Sequence, residues 1–292
     1  MFDTLDQIRR QLEAGEDARA ELKEVVLGRA FLFDEQPVPT ATIDDLDRES
    51  LESYFTTGPR PIPWPDLLRN TRVLATAEDA VERPTVAGLL AFGKAPVRHL
   101  PSAYIEAAVY RGFDLTSDDL VHSKKLGGPV DAQVDEATAF VEHFMLRPAR
   151  KYAGREDFPQ YDLDVSHEAI VNAVAHRDYS IAGSKIRLFL YADRLELYSP
   201  GALPNTLTIE TMPYRVFTRN QLLVSFLSRM KSRRTGSAFL ESRGEGVRRI
   251  LEASEAHSGR RPVYELFGEE LRLTIWAKPS PHETREPSGQ DG

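Results

Sequence analysis

The spacing of apolar residues predicts alternating helices and strands in the first half of the chain. Apolar side chains recur at helical spacing between Val130 and Phe144, so we expect an amphipathic helix over 129–146 with Pro129 in its first turn. The short apolar run 85–92 is bounded by proline and glycine, which indicates a buried strand. Residues 104–110 are expected to form the next strand.

The second half continues this alternation. We expect a helix from a cap at Ser166 to about His176, and then two strands, 185–192 and 194–199, joined by a tight turn. Further helices are predicted after Asn220 and Gly246, with a hairpin at the end. The pattern as a whole is typical of an α/β fold, a two-layer α/β sandwich with a mixed or antiparallel sheet.

Breaks in this pattern suggest the domain organisation. Prolines at every second position of 58–65 indicate an extended connection. We expect a charged, mostly helical segment over 1–27, a smaller α/β linker domain over 28–150 and a second α/β domain over 151–278. The polar tail 279–292 is expected to be disordered.

Composition excludes several classes of protein. The chain has no cysteine, which removes disulfides, thiolate metal sites and cysteine nucleophiles. It has no run of about 18 apolar residues and its N-terminus is charged, so we expect no membrane span, no signal peptide and a cytoplasmic location. The net charge of −8 argues against a generally basic nucleic-acid binder.

Charge is nevertheless segregated within the chain. Residues 215–249 contain nine Arg or Lys and two acidic residues. Two interpretations of the most basic part stay open: a solvated loop, or a lid or surface that contacts the phosphates of a nucleotide or of a nucleic acid. The candidate phosphate contacts are Arg229, Lys231, Arg233 and Arg234.

Candidate chemistry lies on the helix HEAIVNAVAHRDYS. Glu168, Asn172 and His176 stand at i, i+4 and i+8, so they project from one face while apolar residues occupy the other. An amide oxygen can ligate Mg²⁺ and a carboxylate can orient or deprotonate a water, which suits a metal–phosphate site. His176 is expected to be a structural or outer-shell group, and Asp178 either caps locally or reaches the metal shell.

Two glycine loops follow this helix. The first, with Ser199 and Gly201, ends a strand, whereas the second, with Gly244 and Gly246, opens a helix whose N-terminal amides could receive phosphate oxygens. Each loop alone is a weak signal. Their order after the polar helix is what indicates a nucleotide site.

One segment has the spacing of a phosphate-binding motif but lacks the residues that such a motif requires. Residues 88–94 have the spacing of a P-loop, but Ala95 stands where the Mg²⁺-binding Ser or Thr is required, and the intervening residues are apolar. We therefore expect no P-loop here and no helicase motor.

The segments HEAIVNAVAHRDYSIAGSKIRLFLYADRLELYSPGALPNTL and SRGEGVRRI resemble the RecG-like C-terminal ATPase module, which is similar to the GHKL superfamily. The resemblance implies a GHKL-like fold that binds ATP with Mg²⁺. It implies that Glu168 is the general base and Asn172 the Mg²⁺ ligand, and that Gly201 lies in the first glycine box and Gly244 and Gly246 in the second. Ser199-Pro200 departs from the superfamily, whose first box begins with an aspartate that contacts adenine.

The upstream half resembles the same family. FDEQPVPTATIDDLD and PTVAGLLAFGKAPVRHLPSAYIEAAVYRG look like the region that joins an AlbA-like, Schlafen-type DNA-binding domain to this module. IRRQLEAGEDARAELKEV resembles only the beginning of that domain. We therefore expect a remnant over 1–27 and do not carry over its DNA-binding role.

Three functional hypotheses follow. The first is an ATP-binding regulatory protein, linked to transcription by resemblance, with slow or no hydrolysis and a possible homo-oligomeric state. The second is a degenerate scaffold that keeps the fold and binds no nucleotide. The third is a DNA-binding transcriptional regulator that contacts phosphates through residues 215–249.

Overall fold

The computed structural model describes residues 33–55, 62–145, 149–150, 156–157, 159–203, 207–240 and 244–279. The expected helical segment 1–27 and nearly all of the expected tail 279–292 lie outside the described residues. No helix in the described part of the chain is long and apolar enough to cross a membrane.

A six-stranded sheet forms one layer of the fold. Its strands are β3 (Ile105–Tyr110), β4 (Leu120–Leu126), β7 (Ile186–Leu190), β8 (Arg194–Pro200), β9 (Val263–Phe267) and β10 (Glu270–Trp276). Their order in the sheet is β4-β3-β7-β8-β10-β9, and every neighbouring pair is antiparallel except β3 and β7, which are parallel. The sheet is therefore mixed, as predicted.

Three long helices form the second layer on one face of this sheet. They are α4 (Val130–Phe144), α5 (Leu163–His176) and α7 (Gly246–Ser258). Helix α5 lies in the middle, since it packs against both α4 and α7 and against β8. The α/β class with a mixed sheet and a helical layer is confirmed.

The N-terminal part of the described chain packs against the same layer. It contains three short 3₁₀ turns, a two-stranded hairpin and three helices, and α6 (Gln221–Leu227) lies against α3 (Val86–Phe92) and α5. A second two-stranded hairpin is formed by β5 (Ala149–Arg150) and β6 (Glu156–Asp157). The remaining elements are the 3₁₀ turns Phe33–Glu35, Ile43–Asp45, Pro96–Arg98 and Met212–Tyr214, α1 (Arg48–Phe55), α2 (Trp64–Asn70), β1 (Leu74–Thr76), β2 (Glu82–Pro84) and α3 (Val86–Phe92).

One hydrophobic core joins the two halves of the chain. The buried apolar cluster runs from Val38 to Ile275, and the parallel pair of β3 with β7 crosses the boundary expected near residue 150. The division into domains at that residue stays a prediction, because a shared sheet and core do not mark it.

The other face of the sheet is covered by aromatic and arginine side chains. Phe189 and Tyr191 are buried there, with Arg194 4.2 Å above the ring of Tyr191 and Arg187 4.1 Å above that of Tyr198. Guanidinium groups stack well on aromatic faces, and their long stems shield apolar surface from water. This layer shields the face opposite the helices.

Residues 85–92, expected to be a strand, form helix α3 instead. The prediction was wrong because an uninterrupted apolar run fits a buried helix as well as a buried strand. Thr85 supplies the helix signal, since its side-chain oxygen accepts a hydrogen bond from the Gly88 amide at 2.9 Å. All seven residues of α3 are buried, so the P-loop spacing holds no exposed phosphate cradle.

Two helix starts also differ from expectation. Helix α5 begins at Leu163 because Asp162, not Ser166, caps it and accepts hydrogen bonds from the amides of Asp164 and Val165. Helix α2 begins at Trp64 and holds Pro65 in its first turn, where the missing N–H costs little. The extended proline segment therefore ends earlier than predicted.

Gly88 permits the close packing of α3 on the chain just before β1. A Cβ atom at this position would lie 2.5 Å from the backbone oxygen of Val73. We expect Gly88→Ala to lower the free energy of unfolding by about 1–3 kcal/mol, because overpacking outweighs the better helix propensity of alanine.

Urea unfolding tests this prediction. Gly127→Ala is the matched control, since a Cβ there meets only Val97 at 3.8 Å, an ordinary contact. Equal stability of the two variants would show that the backbone at Val73 does not constrain α3.

Candidate nucleotide site

Helix α5 presents a polar stripe to a cavity and its apolar side to the core. Ile170, Val171 and Val174 are fully buried, whereas Glu168 and Asn172 are only partly buried. The period of the helix places residues four apart on one face, which is why the two polar side chains point the same way.

The cavity has a volume of about 410 Å³ and lies between α5, the sheet and the two glycine loops. Apolar side chains of β8, β10 and α6 form much of its wall. The predicted site residues that line it are Glu168, Asn172, His176, Ser199, Gly201, Gly244 and Gly246.

The polar stripe of α5 lies against the second glycine loop. Asn172 Nδ2 lies 3.4 Å from Glu168 Oε1. A Cβ atom at Gly246 would lie 2.3 Å from Glu168 Oε1 and 3.1 Å from Asn172 Nδ2. Glycine at this position therefore lets the start of α7 approach both side chains.

The second glycine loop begins α7. Gly244 adopts a φ of 66°, and a Cβ there would lie 2.3 Å from Cγ2 of Val216. The first-turn amides of a 13-residue helix carry a partial positive charge that favours anions. This arrangement can receive the oxygens of a phosphate chain.

The first glycine loop closes the opposite end of the cavity. Gly201 adopts a φ of 123° and donates its amide to the Glu269 oxygen at 2.6 Å. A Cβ atom there would lie 2.8 Å from Cβ of Asp178, so the loop can pass this close only as glycine. Ser199 Oγ donates to the Ala173 oxygen of α5 at 3.1 Å, which ties β8 to the helix.

Asp178 is not among the residues that line the cavity. Its carboxylate accepts hydrogen bonds from the Ser180 amide at 2.9 Å and from Arg219. Arg219 lines the cavity and also donates to the Ala202 oxygen. Of the two roles considered for Asp178, the hydrogen bond from the Ser180 amide fits the local cap, and the same carboxylate also holds Arg219 behind the first glycine loop.

His176 lies at the C-terminal end of α5, where the cavity meets the first glycine loop. Burial, together with the positive charge of Arg219, lowers its pKa to about 4. The imidazole is therefore neutral at pH 7.

Residues 183–275 match the model of the family described as "Putative ATP-dependent DNA helicase recG C-terminal". The resemblance to a RecG-like C-terminal module is confirmed over these residues. The matched residues include Ser199, Gly201, Gly244 and Gly246, while Glu168 and Asn172 precede them.

A solved structure shares the fold. The crystal structure of the DIP2311 protein from Corynebacterium diphtheriae superimposes with a TM-score of 0.59 at 20% sequence identity, covering 84% of this chain and 48% of that one. The chain thus spans about half the length of that protein, and the likeness concerns the fold alone. No curated protein matches the chain.

Three cavity residues of the RecG-like module were not singled out from the sequence. Arg215 and Arg219 were counted only as part of the basic segment, although both line the cavity. Tyr264 of β9 also lines it, and burial raises its pKa, with a further rise from the nearby charge of Glu168. Nothing in the sequence around Tyr264 distinguished it, since it stands between Val263 and Glu265 in an ordinary strand pattern.

The four candidate phosphate-contacting residues lie away from the cavity. Arg234 pairs with Glu142 of α4, and Arg233 Nη2 lies 4.0 Å from Asp131 Oδ2. Arg229 hydrogen-bonds Tyr54. The remaining member of the set, Lys231, is exposed. Acidic residues of α4 thus partly neutralise this segment.

The donor set fits a metal bound together with phosphate. Among the described residues, no group of three or more His, Asp or Glu side chains could hold a metal ion by itself. Mg²⁺ commonly takes one or two protein oxygens and completes its shell with phosphate and water. Glu168 and Asn172 beside the start of α7 suit that mode.

The low pKa of His176 predicts a pH-dependent stability. Its folded-state pKa of about 4 lies below the ordinary 6.5, so its contribution is complete above pH 6.5 and is lost as the pH falls toward 4. We expect the free energy of unfolding of the wild type to fall relative to that of His176→Gln over this range.

Urea titrations of both proteins at pH 7.5, 5.5 and 4.5 measure the difference. Other titrating groups, including Asp34, are common to the two proteins and cancel. Parallel pH profiles would mean that His176 protonates normally in the folded protein.

Proposed function

We propose that the cavity binds ATP with Mg²⁺ and that the chain is an ATP-binding regulatory protein with slow or no hydrolysis. The observation that carries this proposal is the approach of Glu168 and Asn172 to Gly246 at the start of α7. A carboxylate, an amide and open helix amides meet there, and this combination suits a triphosphate with its metal.

The phosphate end of the site is the second glycine loop. Backbone amides from Gly244 to Val247 would receive phosphate oxygens, and Asn172 would offer Oδ1 to Mg²⁺ because its Nδ2 lies beside Glu168. Bound Mg²⁺ would neutralise phosphate charge. Glu168 would orient a water or take its proton.

The base end of the site is the apolar wall beside Ser199. Because the Ser199 hydroxyl donates its proton to the Ala173 oxygen, its lone pairs can accept a hydrogen bond from the exocyclic amine of adenine. Ser199 would in this way replace the aspartate of the superfamily. The apolar contacts come from Leu197, Leu203, Met212, Phe217, Leu271 and Leu273.

We infer slow turnover from the contacts of Arg219. Phosphoryl transfer is accelerated when a cation reaches the transferred group. Arg219 is held at the base end of the cavity, where it donates to Asp178 and to the Ala202 oxygen, so it is not placed to reach the transferred group. The site is thus better suited to holding a nucleotide than to cleaving it.

A regulatory role linked to transcription is the part of the proposal that rests on resemblance alone. The alternative of a scaffold that binds no nucleotide predicts no affinity for ATP. Weak, sequence-independent contact with nucleic acid through Arg229, Lys231, Arg233 and Arg234 is the further alternative. The ion pairs of Arg233 and Arg234 with α4 disfavour it.

The proposal predicts a specific loss in Asn172→Ala. Affinity for a non-hydrolysable ATP analogue in the presence of Mg²⁺ should fall at least about tenfold, with little loss of stability, because the amide serves a ligand and not the core. Calorimetric titration with and without Mg²⁺ measures the effect.

Asn70→Ala is the matched control, since Asn70 is an exposed amide at the end of α2. It should bind as the wild type does. Unchanged Mg²⁺-dependent affinity in Asn172→Ala would exclude Asn172 as the ligand, and no affinity in the wild type would support the scaffold alternative.

A further inference from the structure

Two buried polar residues near α6, Asn220 and Asp34, cap helix ends from unusual positions in the sequence. Asn220 immediately precedes α6, the position where its side chain would ordinarily bind the free amides of the first turn. It makes no such bond. Its Nδ2 instead donates to the oxygens of Ala175 and Arg177, at 2.9 and 2.8 Å, and so caps the C-terminal end of α5.

The amides of α6 are bound by a residue far away in the sequence. Asp34 Oδ2 accepts hydrogen bonds from the amides of Leu222 and Leu223, at 2.8 and 3.0 Å. Asp34 and Asn220 are each only 1% exposed. A buried carboxylate is costly unless it is hydrogen-bonded, so removal of either partner would be felt at α6.

Aromatic packing supports the same contact. Phe226 of α6 lies 5.1 Å from Phe92 and 5.9 Å from Tyr54, measured between ring centroids and at steep angles. Such edge contacts add to the area buried between the elements. The N-terminal part of the described chain therefore holds α6 through both a charged cap and an aromatic cluster.

Helix α6 also forms part of the cavity wall. Val224 of α6 and Ser228, the residue that follows its last turn, line the cavity. Helix α5, whose end Asn220 caps, carries Glu168 and Asn172. A continuous set of contacts thus leads from Asp34 through α6 and Asn220 to both sides of the proposed nucleotide site.

We propose that Asp34 is a positioning residue for the cavity and couples the N-terminal part of the chain to nucleotide binding. This inference rests on the proposed function. By thermodynamic linkage, a nucleotide that favours the capped arrangement of α6 strengthens the contact with Asp34. Loss of this contact therefore weakens the binding of the nucleotide by the same factor.

The test compares nucleotide affinity in the full chain of the wild type and of Asp34→Ala. We expect the dissociation constant of a non-hydrolysable ATP analogue with Mg²⁺ to rise roughly fivefold, the factor that loss of one helix cap would give. Asp34→Asn, which keeps an acceptor oxygen, should show a smaller effect and serves if the alanine variant does not fold.

Two controls separate positioning from general destabilisation. Asp79→Ala removes an exposed carboxylate of the same half, and Gly128→Ala strains a position with a φ of 92° at the start of α4. Both should keep wild-type affinity. Hydrogen exchange should show nucleotide-dependent protection of the Leu222 and Leu223 amides in the wild type and not in Asp34→Ala.

The outcomes distinguish the two proposals. Wild-type affinity in a folded Asp34→Ala protein would overturn the coupling and leave the proposed function standing. An equal loss in Gly128→Ala would also overturn it, because the effect would then follow stability. If the wild type binds no nucleotide, the proposed function fails and the coupling fails with it.

Discussion

The structure depends on the packing of α5 between two helices and the sheet. Its apolar side is buried against α4, α7 and β8, which fixes the rotation of the helix about its axis. That rotation leaves Glu168 and Asn172 at the cavity, since residues four apart share one face. The hydrophobic core therefore sets the geometry of the site, and the polar stripe has little freedom to turn elsewhere.

Glycine completes this arrangement at two points. The start of α7 can approach Glu168 only without a side chain at Gly246, and the end of β8 can pass Asp178 only without one at Gly201. In both places backbone is brought to the cavity at a distance that a Cβ atom would prevent. At Gly246 this close approach brings up the backbone amides that a phosphate site requires as donors.

Much of the fold and the candidate site could be predicted from local patterns. The helix that ends at His176, the strands of the C-terminal half and the order of the two glycine loops follow from periodicity and from turn residues. Helix α3 could not be predicted in this way, because its seven buried residues have no polar face to reveal the helical period. Only the cap at Thr85 marked it as a helix.

Long-range polar contacts were beyond the reach of the sequence. Asp34 stands in a short 3₁₀ turn and has no local feature that indicates a partner 188 residues away. Asn220 has the position of an ordinary helix cap, yet it binds the end of another helix. In the sequence Arg219 is one of several basic residues, and only the fold brings it into contact with Asp178. Each of these roles arises from tertiary structure alone.

The most direct measurement of the central claim is a crystal structure of the protein with a non-hydrolysable ATP analogue and Mg²⁺. We expect the phosphates to bind the amides of residues 244–247, the metal to bind Asn172 Oδ1 and the base to lie beside Ser199. A nucleotide bound outside this cavity, or a metal that does not contact Asn172, would contradict it.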